Sequence, residues 1–223
     1  MVEQDLRKIG RLLGVNVHPF GFDFYNKMHD LDPKKYKSLA DHPRIYPGYW
    51  APILVSPDAE HIIGQPMRYR LRPANSSNEV PAKYNMFNAR KDGLKSRQIW
   101  RTLYGSKHGL VSLRSFYEWV SDEKSGKKKV VEFTGTQSEL QYVPVLFDEW
   151  QGPAENDYIA SFAIVTTEPN PEVLAAGHDR SPIVLDVKEA LAWLHTKDLS
   201  IDDFNDILDH PRKEYFKVAD ATP

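Results

Sequence analysis

Four short runs rich in β-branched and aromatic residues constrain this chain more than any other feature. They are Ile53–Val55, Val130–Phe133, Tyr142–Phe147 and Ala160–Thr166. Each is too short for a core helix and has the composition of a buried strand. Pro57-Asp58 forms a turn after the first run, and His61–Ile63 is placed to return as its hairpin partner. Leu110–Val120 reads as a further strand pair edge. If it is extended, Phe116 and Glu118 share one face, and Tyr117 and Trp119 the other. Helical spacing appears between and beyond the strands. Val2, Leu6, Ile9, Leu12 and Leu13 fall on one helix face ending at Gly14. Ser96–Tyr104 has helical character, Asp186–Lys197 forms a helix, and Ser200 with Asp203 caps another. Asn16–Gly48, rich in Pro, Asp, His and aromatics, reads as a long irregular segment crossing the core, and Pro73–Pro81 as a polar loop. Strands interspersed with helices predict an α+β fold. The 223 residues suffice for a sizeable core, and neither a repeat nor a Pro/Gly/Ser linker divides them. The expectation is a single domain over 1–223, with a helical C-terminal segment over 200–223.

Several function classes are excluded. The sequence contains no cysteine, so disulfides, thiolate metal sites and a thiol nucleophile are absent from it. A cytoplasmic protein is expected. No apolar run approaches the ~18 residues of a membrane span, and Met1–Lys8 lacks the apolar core of a secretory signal. There is no G-x-S-x-G, Walker loop, G-x-G-x-x-G or H-E-x-x-H. The eight histidines, His18, His29 and His42 among them, show no metal-ligand spacing. Neither a cofactor nor a metal is expected.

Charge is distributed unevenly. The formal net charge is -2, yet Met67–Glu132 holds 15 Lys/Arg against 6 Asp/Glu, leaving -11 on the remainder. Such a stretch points either to an anionic partner or to compensation within the fold. Lys124–Lys129 has the look of a solvated hairpin tip. Arg68, Arg70, Arg72, Arg90, Arg97, Arg101 and Arg114 interleave with Tyr69, Tyr84, Trp100, Tyr104, Tyr117 and Trp119. Arginine suits phosphate and aromatic rings suit unpaired bases, a combination that fits single-stranded nucleic acid. Core packing accounts for those aromatics equally well.

Three polar residues stand in apolar or turn-rich surroundings: Asn88 within Tyr84–Arg90, Glu118 within Ser115–Trp119 and His178 within Gly177–Leu185. A carboxylate between aromatics is desolvated, which raises its pKa toward proton-transfer work. An outward or Arg-paired glutamate, a backbone-bonded loop histidine and a turn asparagine are the plainer alternatives.

Together these segments resemble the SOS response-associated peptidase (SRAP) family, which acts on abasic sites in single-stranded DNA. Phe87-Asn88-Ala89-Arg90 is similar to its Asn-Ala-Arg motif, and Phe116-Tyr117-Glu118-Trp119 to its Tyr-Glu-Trp strand. Phe162–Thr167 resembles its Phe-x-Ile-x-Thr strand, and His178–Leu185 its His-x-Arg-Met-Pro-Val-Leu motif. Met67–Pro73 is a weaker echo of Met-Arg-Trp-Gly-Leu-x-Pro. The resemblance covers roughly 45–195. It implies a curved, barrel-like mixed or antiparallel β core with peripheral helices and a basic groove.

It also implies a chemistry: an N-terminal cysteine captures the ring-opened sugar aldehyde as a Schiff base that closes to a thiazolidine, leaving a DNA–protein crosslink. Asn88 would orient the N-terminal residue, while Glu118 and His178 shuttle protons. Arg90 and Arg180, with Arg97 and Arg114, would contact phosphates or hold the pocket. Trp100, Tyr69 and Trp119 would stack on DNA or form its walls. The expected partner is single-stranded DNA with abasic sites, bound by a monomer near the nucleoid, without membrane or metal.

The chain departs from the family where Val2 follows Met1, where Tyr46-Pro47-Gly48 lacks an asparagine, and where Arg70 replaces a glycine. One expectation is that a Cys-Gly-Arg strand belongs before the first helix. The other is a divergent member that binds DNA without crosslinking. A self-processing peptidase and a partner-binding protein with merely compensated charge complete the alternatives.

Overall fold

The apolar runs become strands that close on themselves. The computed structural model describes residues 1–37, 44–58, 60–121, 126–154, 156–197 and 199–221. In chain order the elements are α1 (Leu6–Leu13), β1 (Val17–Pro19), α2 (Phe22–Leu31), β2 (Trp50–Val55), β3 (Ile62–Tyr69), β4 (Asn88–Arg90), α3 (Gln98–Arg101), β5 (His108–Leu113), β6 (Ser115–Ser121), β7 (Lys128–Gly135), β8 (Gln141–Gln151), β9 (Tyr158–Thr167), α4 (Pro171–Ala175), β10 (Ser181–Pro182), α5 (Val187–Leu194), α6 (Ile201–Asp209) and β11 (Phe216–Asp220).

Strands β3, β2, β5, β8 and β9 pair antiparallel in that order, and a parallel pairing of β3 with β9 closes the barrel. Closure removes the open edges that a sheet otherwise exposes. β1 adds parallel to β3, β4 parallel to β9 and β10 antiparallel to β9. A second sheet has the order β11-β7-β6 and is antiparallel throughout.

Alternation along the barrel strands divides the core in two. Ile53, Val111, Val143, Phe162 and Ile164 pack with Phe116, Phe133 and Phe216 of the small sheet. Their neighbours Leu54, Leu110, Leu146, Ala163 and Val165 pack with Ile9 of α1, Trp193 of α5 and Phe204 of α6. A period of two thus gives one barrel face to the small sheet and the other to helices. The α+β class is what the strand and helix pattern predicts, and the barrel-like core with peripheral helices is what the family resemblance implies.

Local boundaries differ from expectation in four places. The first helix begins at Leu6, because the Asp5 side chain accepts from the backbone N–H of Arg7 and Lys8. Val2 instead bridges antiparallel to Leu113. The segment expected to be irregular holds β1 and α2; His42 lies outside the described residues. Helix α3 is only four residues, and the turns after it lead to Gly105 at φ +93°. The C-terminal region is helical only through Asp209. Pro211 then breaks the helix, and β11 pairs with β7 while Phe216 packs edge-on against Phe116. Among the described residues no helix is long and apolar enough to cross a membrane.

Candidate active site

A cavity of about 460 Å³ opens between the barrel and the small sheet. Asn88, Glu118, Tyr69, Trp119, Thr166 and Met1 are among its lining residues. Each arrives by a traceable route. Parallel pairing sets Asn88 beside Ile164 and Arg90 beside Thr166, while Ala89 between them is fully buried. The tyrosine hydroxyl of Tyr69 lies 3.4 Å from Asn88 Oδ1, to which it donates. Burial, and then the charge of Glu118, push the Tyr69 phenol well above its usual pKa.

His178 is placed by the end of α4. Gly177 sits at φ +92°, a conformation that favours glycine. Its N–H donates to Leu174 O, and that of His178 to Val173 O at 3.1 Å. These two bonds are the Schellman pattern of helix termination. The turn packs beside Val120 and Ser121 of β6. His178 Nε2 consequently lies 3.1 Å from Glu118 Oε2. His178 stands behind the glutamate, outside the cavity lining itself.

His178 Nδ1 lies 2.9 Å from Arg180 O and 3.3 Å from Arg180 N, so the Arg180 backbone fixes the ring while Nε2 faces the Glu118 carboxyl. Burial raises the Glu118 carboxyl above its ordinary value; His178 opposes this and Asp179 adds to it. The arrangement favours a carboxyl that keeps its proton to higher pH than an ordinary glutamate and so suits it to proton donation.

The chain's first residues run along the other wall. Glu3 N–H donates to Ser112 O at 2.9 Å, and Arg114 N–H to Met1 O at 2.7 Å. The Met1 amino group donates to the carbonyl of Ser115, and to Ser115 Oγ at 3.1 Å. Burial pushes this amine down to about 5, with Glu132 opposing and Arg44 and Arg114 assisting. Its hydrogens are directed at Ser115.

Residues 22–222 match the family model described as SOS response associated peptidase (SRAP). The chain belongs to the SRAP family. It is 31% identical over 126 residues to the abasic site processing protein YoqW of Bacillus subtilis, covering 56% of this chain and 54% of that protein. The abasic site processing protein YobE of the same organism is 29% identical over 143 residues, covering 64% and 63%. The chain thus spans less than two thirds of either relative. A crystal structure of a protein from Bordetella bronchiseptica superposes with a TM-score of 0.65 at 19% identity, covering 80% of this chain and 87% of that one, a likeness of fold.

Within this SRAP fold the structure collects some of the candidate residues and disperses others. Asn88, Glu118, Tyr69 and Trp119 share the cavity, with Trp119 60% exposed at its edge. Arg90 is ion-paired with Asp92 at 2.7 Å and Arg180 with Glu168 at 2.8 Å. Arg114 pairs with Glu3 close to Met1. Arg97 is exposed and its stem packs over Gly93, away from the cavity lining. Trp100 corrects expectation: it is 2% exposed in the helix-side core, so no base can stack on it.

Sequence reasoning missed Met1, Ser115, Glu132 and Arg44. Strand pairing between residues 1–3 and 112–115 brings the first of these in, and no local pattern announces it. The Tyr117–Glu132 pairing across β6 and β7 was readable only once the hairpin register was known. Among the described residues no cluster of His, Asp or Glu is placed to hold a metal.

Proposed function

We propose that this chain processes abasic sites in single-stranded DNA by forming a Schiff base inside the cavity. The observation that carries the reading is the convergence of Asn88, the Glu118–His178 pair and the stretch around Met1 on one cavity. The names of the curated relatives as abasic site processing proteins support it.

The ring-opened abasic sugar presents an aldehyde and lacks a base, so it suits a cavity of this size. The amine of the N-terminal residue that the family resemblance implies bonds through nitrogen to the aldehyde carbon, and the carbonyl oxygen leaves as water. One of the water's protons comes from nitrogen and the other from Glu118, which His178 holds in place. Asn88, held by Tyr69, orients the sugar or the amine. Trp119 offers a ring to a flanking base, and Arg90 and Arg180 offer guanidinium groups to phosphates. The sequence contains no thiol to close the imine into a thiazolidine. The adduct therefore stays reversible, open to hydrolysis or to β-elimination of the strand. That same lack of a thiol favours the second reading, a domain that binds single strands without covalent capture.

The deciding experiment incubates the chain with a single-stranded oligonucleotide carrying one abasic site, with and without cyanoborohydride. A second chain carries Met-Cys-Gly-Arg before Val2. The expected result is a reductant-dependent adduct with the first and a heat-stable adduct without reductant for the second. Salt-sensitive binding with no adduct from either chain would establish the second reading. Absence of binding would refute both.

A further inference from the structure

We propose that Arg44, stacked on Tyr117 in the cavity wall, binds a backbone phosphate of single-stranded DNA beside the abasic sugar. This deepens the preceding reading and rests on its DNA substrate, not on its imine step.

Short-range bonds fix where Arg44 stands. Gly48 N–H donates to Tyr69 O at 2.6 Å, Tyr69 N–H to Tyr49 O at 2.7 Å and Tyr49 N–H to Tyr46 O at 2.8 Å. Gly48 turns the chain there at φ +96°, where glycine is favoured. The run Arg44–Pro47 is thereby held against β3, and it lines the cavity that holds Asn88 and Glu118. The guanidinium carbon of Arg44 lies 4.1 Å from the Tyr117 ring centroid. That ring is itself anchored, since its hydroxyl donates to Glu132 Oε1 at 2.5 Å across the β6–β7 pairing.

Stacking decides which part of the guanidinium is left for a ligand. The ring covers one face of the plane. The N–H donors lie in the plane and point outward from its rim. One of them reaches Ala221 O at 3.5 Å, a long bond. Arg90, Arg114 and Arg180 are each ion-paired with a carboxylate, whereas among the described residues Arg44 forms no ion pair. The Glu132 carboxylate is taken by the hydroxyls of Ser115 and Tyr117. Arg44 is also the one Arg or Lys among the cavity's lining residues. An anion in this cavity therefore meets it without first displacing a carboxylate. A planar fork of charged donors suits a phosphate. Burial favours the neutral form of Glu118, which lessens repulsion of a phosphate in the same cavity. Tyr46, 47% exposed, adds a ring face for an adjoining base.

The test measures binding of a single-stranded oligonucleotide with one abasic site, by fluorescence anisotropy across salt concentrations. The proteins are the wild type, Arg44→Ala, Arg44→Lys and Arg90→Ala. One phosphate contact on a single strand contributes about 0.7 to the slope of log K against log salt. Arg44→Ala is expected to lower the slope by about 0.7 and the affinity about tenfold. Arg44→Lys should keep the slope but not the full affinity, because an ammonium lacks the planar fork. Arg90→Ala should change both less, since Asp92 already holds that guanidinium. A second series replaces one phosphate at a time around the lesion by an uncharged methylphosphonate. The wild type should lose affinity at one linkage where Arg44→Ala loses none. If Arg44→Ala fails to fold, Arg44→Gln takes its place with the same expectations. An unchanged slope, or equal sensitivity of both proteins at every linkage, would overturn the proposal and leave the DNA reading standing. A slope that depends on Arg44, with no covalent adduct from the wild type, would uphold Arg44 and sink the imine step. A wild type that binds no single strand would overturn both.

Discussion

Replacing Glu118 by glutamine separates catalysis from stability, because the two are expected to move in opposite directions. Glutamine keeps the shape and can still donate or accept toward His178 Nε2, 3.1 Å away. What it loses is the proton. General acid catalysis by a placed side chain contributes roughly 10²–10⁴-fold. The Glu118 side chain is 28% exposed, so water at the cavity can partly substitute, and the lower end applies. The expected loss is about 100-fold in the rate of imine trapping, or about 2.7 kcal/mol of barrier. Stability follows a different rule. Burial raises the carboxyl above its unfolded value. As pH rises, the unfolded chain sheds this proton first, so ionisation costs the folded state stability above the unfolded pKa. The Glu118→Gln variant has no such cost, and its melting temperature at pH 7 should equal or exceed the wild type's. The advantage should vanish as pH falls below the ordinary glutamate range. Single-turnover trapping on an abasic oligonucleotide, fluorescence anisotropy for binding and thermal melting at pH 4 and pH 7 measure all three quantities. A trapping rate within about threefold of wild type would remove Glu118 from proton transfer. A melting temperature several degrees lower would make it a structural residue.

The trapping rate of the wild type should fall as pH rises past the raised pKa of Glu118 and its carboxyl loses its proton. A rate that only climbs toward alkaline pH would contradict an essential acid. Trp100→Ala should cost about 3–5 kcal/mol in chemical denaturation, as removal of a buried ring does, without a DNA-specific effect. Trp119→Ala should leave stability within about 0.5 kcal/mol and weaken single-strand binding; equal binding would take Trp119 off the DNA path. Arg70 adopts φ +110° and donates to Val80 O at 2.5 Å. Arg70→Gly relieves strain of order 1–3 kcal/mol but gives up that bond and gains unfolded-state entropy. It should be neutral within about 1 kcal/mol by urea denaturation, and a loss above about 2 kcal/mol would show that the backbone there is unstrained.

What the sequence made legible was decided by range of interaction. Val130–Phe133, Tyr142–Phe147 and Ala160–Thr166 are strands because their composition and alternation are local properties. Asp186 and Ser200 cap their helices through contacts three residues away, and both capping boxes form. Helix α2 was illegible for the converse reason. It starts at Gly21 with no side-chain cap, and only Tyr25 and Met28 of its ten residues are buried. Trp100 and Trp119 look alike in sequence, each flanked by polar and aromatic neighbours. Tertiary packing alone puts one under the barrel and the other beside the cavity. Asn88, Glu118 and His178 could be named from motif order, but their meeting depends on a parallel pairing, a small-sheet register and one glycine turn. The Met1 amine belongs to the same class, since its partner Ser115 is 114 residues away.

Several arginines of the basic stretch that first pointed to an anionic partner are paired within the fold. Arg68 and Arg72 both pair with Glu79, Lys107 with Glu149, Arg90 with Asp92 and Arg114 with Glu3. Arg72 also lies 3.3 Å from the Trp150 ring centroid. A phosphate that reaches Arg90 must displace Asp92, so the gain is a difference between two similar interactions rather than a full new ion pair. Binding driven this way has a shallower salt dependence than a count of arginines implies. On the proposed reading of abasic sites that is a useful imbalance. Strong attraction to every phosphate would hold the protein on intact strands, whereas an aldehyde is present only at the lesion. Selectivity would then reside in the cavity chemistry around Glu118 and Asn88, and Arg90→Ala should reduce the salt slope by less than one full phosphate contact.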